Sequence, residues 1–242
     1  MRFEDFITQS NSAKTPDELF EYLRKAVSNY GFDRVIFSVT FDGELPKDKN
    51  QLGIFHNYVE SWDKYYKEKK YHLIDPVLRY AAMQTAPFKW SQLEKNFSLS
   101  PNQLKIFREG EEAGLWHGVG VPMRGSRGQL SGIALASSQK VDACEQNLDL
   151  IAAFCNQFYL AYKRFYIPSE KDEKGSFISL TPKETEVLHW LFNTKTDEEI
   201  ATILGISKNT VDTHIRKIYE KMGVHNRIAA AIKGLMLGLI IP

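Results

Sequence analysis

The sequence predicts two domains of different class. An α+β N-terminal domain, with an antiparallel sheet between helical layers, occupies residues 1–166, and an all-α domain of four helices occupies 177–242. Three observations carry this expectation. In the first half, β-branched and aromatic runs alternate with helical apolar spacing, the mixture of an α+β layered fold. Residues 167–176 (IPSEKDEKGS) hold a Pro, a Gly and a run of charges, the composition of a linker. From Leu180 onward every boundary is a helix cap and no strand pattern appears.

A chain of 242 residues, 43% hydrophobic and 25% charged, is long enough for two such cores. No run of eighteen apolar residues occurs, and the N-terminal MRFEDFITQSNSAK is polar, without the apolar core of a signal peptide. The expectation is therefore a soluble cytoplasmic protein that does not enter a membrane. Cys144 and Cys155 would lie about 16 Å apart on one helix, too far for a disulfide. Six scattered histidines lack ligand spacing, so neither a metal nor a cofactor is expected.

In chain order, TPDELFEYLRKAVSNY (15–30) starts with a Thr cap and Pro at the first helical position, carries Leu19, Leu23 and Val27 on one face, and meets Gly31. RVIFSVTF (34–41) and LGIFHNY (52–58) read as an antiparallel pair with a long turn. A helix over 101–113 stops at Gly114. LWHGVGVPM (115–123), the turn RGSRG and QLSGIALASS (129–138) form a second hairpin, whose glycines permit close packing on one face. Residues 143–166 read as one long amphipathic helix.

Between these lies an aromatic stretch ending at Trp90. Tyr58, Trp62 and Tyr66 recur every four residues, so a helix would project them from one face, and Asp75 precedes Pro76. Two meanings stand side by side: an ordinary core stripe followed by an Asp N-cap, or a pocket lined with aromatic donors facing a carboxylate.

The C-terminal domain opens with the capping box Thr181/Glu184 and continues with Thr196/Glu199. Gly205 ends the second helix, Ser207 caps the third, Gly223 ends it, and Asn226 starts the fourth. The second and third helices, joined by a three-residue turn containing Gly, have the layout of a helix-turn-helix. Two Lys face five acids between Leu180 and Ile206, a balance of −3; six Lys or Arg face two acids from Ser207 onward, a balance of +4. Positive charge is focused on the third helix, although the whole chain carries only +1. Val211, Ile215, Ile218 and Met222 form its inward stripe. Lys208, Asn209, Thr210, Asp212, Thr213, Arg216 and Lys217 remain outward and suit double-stranded DNA: Arg216 for a bidentate base contact, Asp212 for a cytosine amino group, and Lys208, Lys217, Lys221 and Arg227 for phosphates.

LTPKETEVLHW, KTDEEIATILGIS, NTVDTHIRKIYEKMGV and NRIAAAIKGLMLGLI resemble the DNA-binding domain of the LuxR/FixJ family of bacterial transcription factors. Where that family usually has a glycine after the first helix, this chain has Thr194 preceded by Asn193, so the left-handed residue is expected to move to Asn193. The first half, over about 15–166, resembles the autoinducer-binding domain of LuxR-type quorum-sensing receptors, through Asn57, Tyr58, Trp62, Tyr66, Asp75–Pro76, Trp90 and Gly114, Leu115 and Gly118.

The resemblance implies an N-acyl homoserine lactone as small-molecule ligand, with Ser38, Tyr58, Trp62, Tyr66, Asp75, Val77, Trp90, Leu115 and Ala134 around it. It also implies a homodimer and contact with RNA polymerase. Trp62 would donate to the lactone carbonyl, Asp75 would accept from the amide N–H, Tyr58 would donate to the amide carbonyl, and Tyr66 and Trp90 would pack on the ring. Val77 and Ala134 stand where relatives that read a 3-oxo group carry hydroxyls, implying an unsubstituted, branched or aryl acyl part.

The alternatives are a LuxR-type receptor for an exogenous lactone or another small molecule, and a lactone hydrolase built on His72, Asp75 and a serine. No G-x-S-x-G elbow supports the enzyme.

Overall fold

The computed structural model describes residues 1–125, 128–140, 147–167 and 178–240. The chain divides into two compact units, which, apart from residues 126–128, are the stretch up to Lys171 and the stretch from Asp172. The expected linker 167–176 and Cys144 lie almost wholly outside the described residues.

The first unit runs α1 (Phe3–Ser12), α2 (Pro16–Ser28), β1 (Arg34–Phe41), β2 (Phe55–His56), α3 (Glu60–Glu68), α4 (Pro76–Ala81), β3 (Phe88–Lys89), α5 (Trp90–Asn96), α6 (Pro101–Glu112), β4 (Trp116–Arg124), β5 (Leu130–Ser137) and α7 (Leu148–Lys163). Its sheet is antiparallel in the order β2-β1-β5-β4-β3. Side chains alternate across it. Val35, Phe37 and Val39 of β1 join Ile133 and Leu135 of β5 and Val119, Val121 and Met123 of β4 in the main core, where α2 and α7 supply Leu19, Leu23, Phe154 and Phe158. Each fully buried side chain of this size contributes about 1.5–3 kcal/mol. α3 to α6 supply the apolar clusters with which Ala136 and β3's Phe88 pack, so the sheet stands between two helical layers, as expected.

Four elements differ from the sequence reading. α1 forms within a segment that reads as polar, because Phe3 and Phe6 meet the edge of Phe154 at 5.1 Å while the intervening residues face water. The second strand shrinks to Phe55–His56. α3 begins at Glu60, which leaves Tyr58 before the helix rather than on it. The described part of the long helix starts at Leu148, where the Asn147 side chain accepts from the amide of Leu150 at 3.0 Å.

In the second unit α8 (Pro182–Phe192), α9 (Asp197–Leu204), α10 (Lys208–Met222) and α11 (Arg227–Met236) enclose Val187, Leu188, Ile200, Val211, Ile218 and Ala230. Both capping boxes form, and Ser207 and Asn226 cap α10 and α11 as their sequence positions require. Gly205 and Gly223 take the left-handed conformation that ends α9 and α10.

The turn after α8 departs from expectation. Asn193 keeps a negative φ of −78°, and Thr194 itself is left-handed at φ 59°. The short side chain of Asn193 bonds back to the carbonyl of His189, which holds it in the helical turn and passes the reversal to its β-branched neighbour. Thr194→Gly is therefore expected to stabilise this unit by about 1 kcal/mol, because the left-handed conformation costs roughly 1–2 kcal/mol and glycine's larger unfolded-state entropy offsets part of the gain. Thermal unfolding with an unchanged or lower midpoint would contradict this.

Candidate functional site

A cavity of about 360 Å³ lies in the first unit, floored by β1, β4 and β5 and walled by residues of α3 to α6. Period-two alternation directs Ile36, Ser38 and Thr40 of β1 to it, while Val35, Phe37 and Val39 enter the core on the other face. Close approach of the aromatic wall depends on β4: a Cβ built on Gly118 would come within 2.0 Å of the Trp90 ring, and one on Gly120 within 2.4 Å of Phe88.

All nine residues named for this site from the sequence line this one cavity: Ser38, Tyr58, Trp62, Tyr66, Asp75, Val77, Trp90, Leu115 and Ala134. Trp62 and Tyr66 come from α3, and Tyr58 from the bend before it. Asp75 combines both meanings left open above. It caps α4, one oxygen accepting from the Val77 amide at 2.7 Å, while the other accepts from the Tyr66 hydroxyl at 2.6 Å, and it lines the cavity as well. Ser38 Oγ accepts from the Gly53 amide at 2.9 Å.

Burial dominates the electrostatics. Asp75 is 8% exposed, and desolvation pushes its carboxyl above the ordinary range, against the pull of hydrogen bonds from Tyr66, Val77 and Leu78. Burial, and then the Asp75 charge, push the Tyr58 and Tyr66 phenols far above their usual range, so both remain neutral hydroxyls. Tyr58 Oη and Trp90 Nε1 are buried without a hydrogen-bond partner among the described residues. Each such group costs about 1–3 kcal/mol, a deficit that acceptors on a bound molecule would remove. The lining is otherwise mostly apolar, with Ile36, Leu52, Leu78, Phe107 and Leu130 among the walls that sequence reasoning missed. Those walls come from distant segments; only the alternation along β1 pointed toward them.

In the second unit α9, a turn through Gly205 and α10 form a helix-turn-helix. Val211, Ile215, Ile218 and Met222 are buried, whereas Lys208, Asn209, Thr210, Thr213, Arg216 and Lys217 are exposed and Asp212 is half-buried. Arg216 pairs with Asp212 at 2.9 Å, and Lys208 pairs with Glu198 of α9. Two cations expected at phosphates also tie helices of this unit together. Lys221 Nζ lies 2.6 Å from the buried Glu184 of α8, and Arg227 bonds the Asp197 carboxylate and the Lys195 carbonyl. An acid buried at a helix start must be neutralised, and the Lys221 ammonium does so. Burial raises the Glu184 pKa, but Lys221 and the capping bonds from Thr181 more than offset this and hold it below the carboxylate range. Lys217 has no ion-pair partner among the described residues.

A largely apolar cavity with a few fixed polar groups, joined in one chain to a helix-turn-helix, defines a ligand-binding, DNA-binding regulator. Residues 15–161 match the autoinducer binding domain family, and residues 178–233 match the bacterial regulatory proteins of the luxR family. The transcriptional activator protein AnoR of Acinetobacter nosocomialis is 28% identical over 98% of both chains. AhyR of Aeromonas hydrophila, also a transcriptional activator protein, is 26% identical over 98% of this chain and 92% of its own. Among solved structures, Escherichia coli SdiA superposes with a TM-score of 0.63 at 22% identity, over 99% of this chain and 98% of that one, a likeness of fold.

The chain belongs to the LuxR family of autoinducer-binding transcriptional regulators. It is a regulator and not an enzyme: its first domain takes a small-molecule autoinducer and its second binds DNA. Among the described residues, no three His, Cys, Asp or Glu side chains gather as a metal site, and no helix is long and apolar enough to cross a membrane.

Proposed function

We propose that the autoinducer is an N-acyl homoserine lactone, and that residues 1–166 bind it while 177–242, beyond a linker at 167–176, regulate quorum-sensing promoters in the cytoplasm. One observation carries this reading. A donor-only indole, Trp62, and an acceptor carboxylate, Asp75, line one partly open cavity together with the Tyr58 hydroxyl, which has no hydrogen-bond partner among the described residues. Trp62 donates to the lactone carbonyl, Asp75 accepts from the amide N–H, and Tyr58 donates to the amide carbonyl. Tyr66 orients Asp75, Trp90 and Leu115 pack on the ring, and the acyl chain runs along Ile36, Ala134 and Leu130.

Val77 and Ala134 offer no hydroxyl to a 3-oxo oxygen, so the acyl part lacks that group. N-octanoyl homoserine lactone is expected to reach half-maximal response at a concentration about tenfold or more below that of its 3-oxo analogue, the factor for one buried oxygen without a partner. A preference for the 3-oxo compound overturns the acyl assignment.

The regulator acts as a homodimer, which presents two copies of α10 to a two-fold operator. Exposed apolar positions support this: Leu160 on α7, and Ile228, Ile232 and Leu235 on one helical face of α11. Arg216 and Asp212 read base edges. Lys208, Asn209, Thr210, Thr213 and Lys217 contact the backbone or neighbouring bases, and RNA polymerase is the further partner.

A further inference from the structure

Trp62 is held from outside the cavity. Its ring packs against Tyr65 and Tyr71 with centroids 6.2 and 6.4 Å away, and those two tyrosines meet edge-on at 6.0 Å. Both hydroxyls donate to one carboxylate on α6, Tyr65 to Oε1 of Glu109 at 3.1 Å and Tyr71 to Oε2 at 2.6 Å. Lys105, one turn earlier, places its ammonium 3.5 Å from Oε1. The next residue is Gly110, where an added Cβ would sit 3.8 Å from Cζ2 of Trp62. α6 thus passes close to the indole at Gly110 and braces it through two tyrosines at Glu109. Burial raises the Glu109 pKa, but the bonds from Tyr71 and Tyr65 and the Lys105 charge outweigh it and keep the carboxyl below its ordinary range. An ionised carboxylate only accepts, so both tyrosines must donate to it, and their rings are fixed in turn. None of Tyr65, Tyr71 and Glu109 is among the residues that line the cavity.

We propose that Glu109 is a positioning residue for the lactone end of the site: by clamping Tyr65 and Tyr71 it fixes the Trp62 indole, so that the indole N–H is already aimed when the ligand carbonyl arrives. This rests on the role proposed above for Trp62. A pre-aimed donor loses less freedom on binding than a mobile one, and the benefit falls only on ligands that carry the carbonyl. Glu109 acts on ligand choice through two aromatic rings, without touching ligand.

The test compares two probes on the full chain by ligand-dependent thermal stabilisation: N-octanoyl-L-homoserine lactone, and N-cyclopentyloctanamide, which keeps the amide and tail but has no ring carbonyl. Glu109→Gln retains size and replaces one acceptor oxygen with a donor. It is expected to raise the half-saturating concentration of the lactone about tenfold, the factor for one weakened hydrogen bond, and that of the cyclopentyl amide less than about twofold. Tyr71→Phe, which removes one donor and leaves Glu109 bonded to Tyr65, is expected to shift selectivity in the same direction, and it decides the matter where the Gln variant does not fold. Equal weakening of both probes, or weakening of neither, overturns the proposal. Trp62→Phe is the control: if it binds the lactone as the unaltered chain does, the Trp62 role itself fails, an outcome distinct from failure of the Glu109 clamp.

Discussion

Replacing Asp75 with Asn is expected to reduce sensitivity to N-acyl homoserine lactone by about a hundredfold, the loss of a hydrogen bond to a buried charged group, while leaving the unliganded fold intact. Asn caps helices as well as Asp does, so the start of α4 survives. The carboxylate accepts from the Val77 amide and the Tyr66 hydroxyl, and in the proposed complex it accepts from the ligand amide as well. An Asn side chain has one acceptor oxygen and turns an NH2 toward the rest, so a donor is left facing a donor.

The sign of the pH effect follows from the raised carboxyl pKa, whose cause is burial. A raised native pKa means stability that is fully present below the unfolded-state value, about 3.9, and is lost as pH rises through the native value. At neutral pH the buried charge therefore opposes folding of the unliganded protein. The Asn variant should be at least as stable as the unaltered chain near neutrality, and its advantage should shrink in acid. Calorimetric melting with and without lactone reads both effects. A variant that keeps full ligand sensitivity would reduce Asp75 to a helix cap.

Gly118→Ala is expected to do the reverse, losing ligand response because the fold is damaged. The new Cβ would lie 2.0 Å from the Trp90 ring, and that ring starts α5 beside the cavity, with the Phe107 ring at 6.4 Å. Overpacking of this kind costs about 1–3 kcal/mol. The neighbouring bulge at His117, where φ is 52° and the β4–β5 register skips from Trp116 to Val119, gives the strand little freedom to retreat. A denaturation midpoint equal to that of the unaltered chain would show that Trp90 moves at no cost.

The second unit was almost fully legible in the sequence, because its boundaries are written locally: Thr181 with Glu184, Thr196 with Glu199, Ser207, Asn226 and two glycines each specify a helix end through bonds within four residues. What was not legible there is long-range. Nothing local says that Lys221 reaches Glu184 across 37 positions, or Arg227 reaches Asp197 across 30, so both read as free phosphate contacts. Thr194 shows the same limit at short range, since propensity favours Asn193 in the left-handed conformation and the Asn193–His189 bond decides otherwise.

In the first unit the helix α2, the strand β1 and the hairpin β4–β5 followed from periodicity and turn residues. α1 did not, because its helix is made stable by Phe154 of α7 rather than by its own pattern. The site residues came from the family resemblance; periodicity alone put Tyr58 on a helix it precedes. The brace of Tyr65, Tyr71 and Glu109 spans 44 positions and had no local sequence signal.

Native mass spectrometry of the full chain, produced in the presence of N-octanoyl homoserine lactone, tests the central claim most directly. One intact lactone per chain is expected, and none in a Trp62→Phe/Asp75→Asn double variant that still folds. A chain that carries no lactone, or a double variant that carries as much as the unaltered protein, would contradict it.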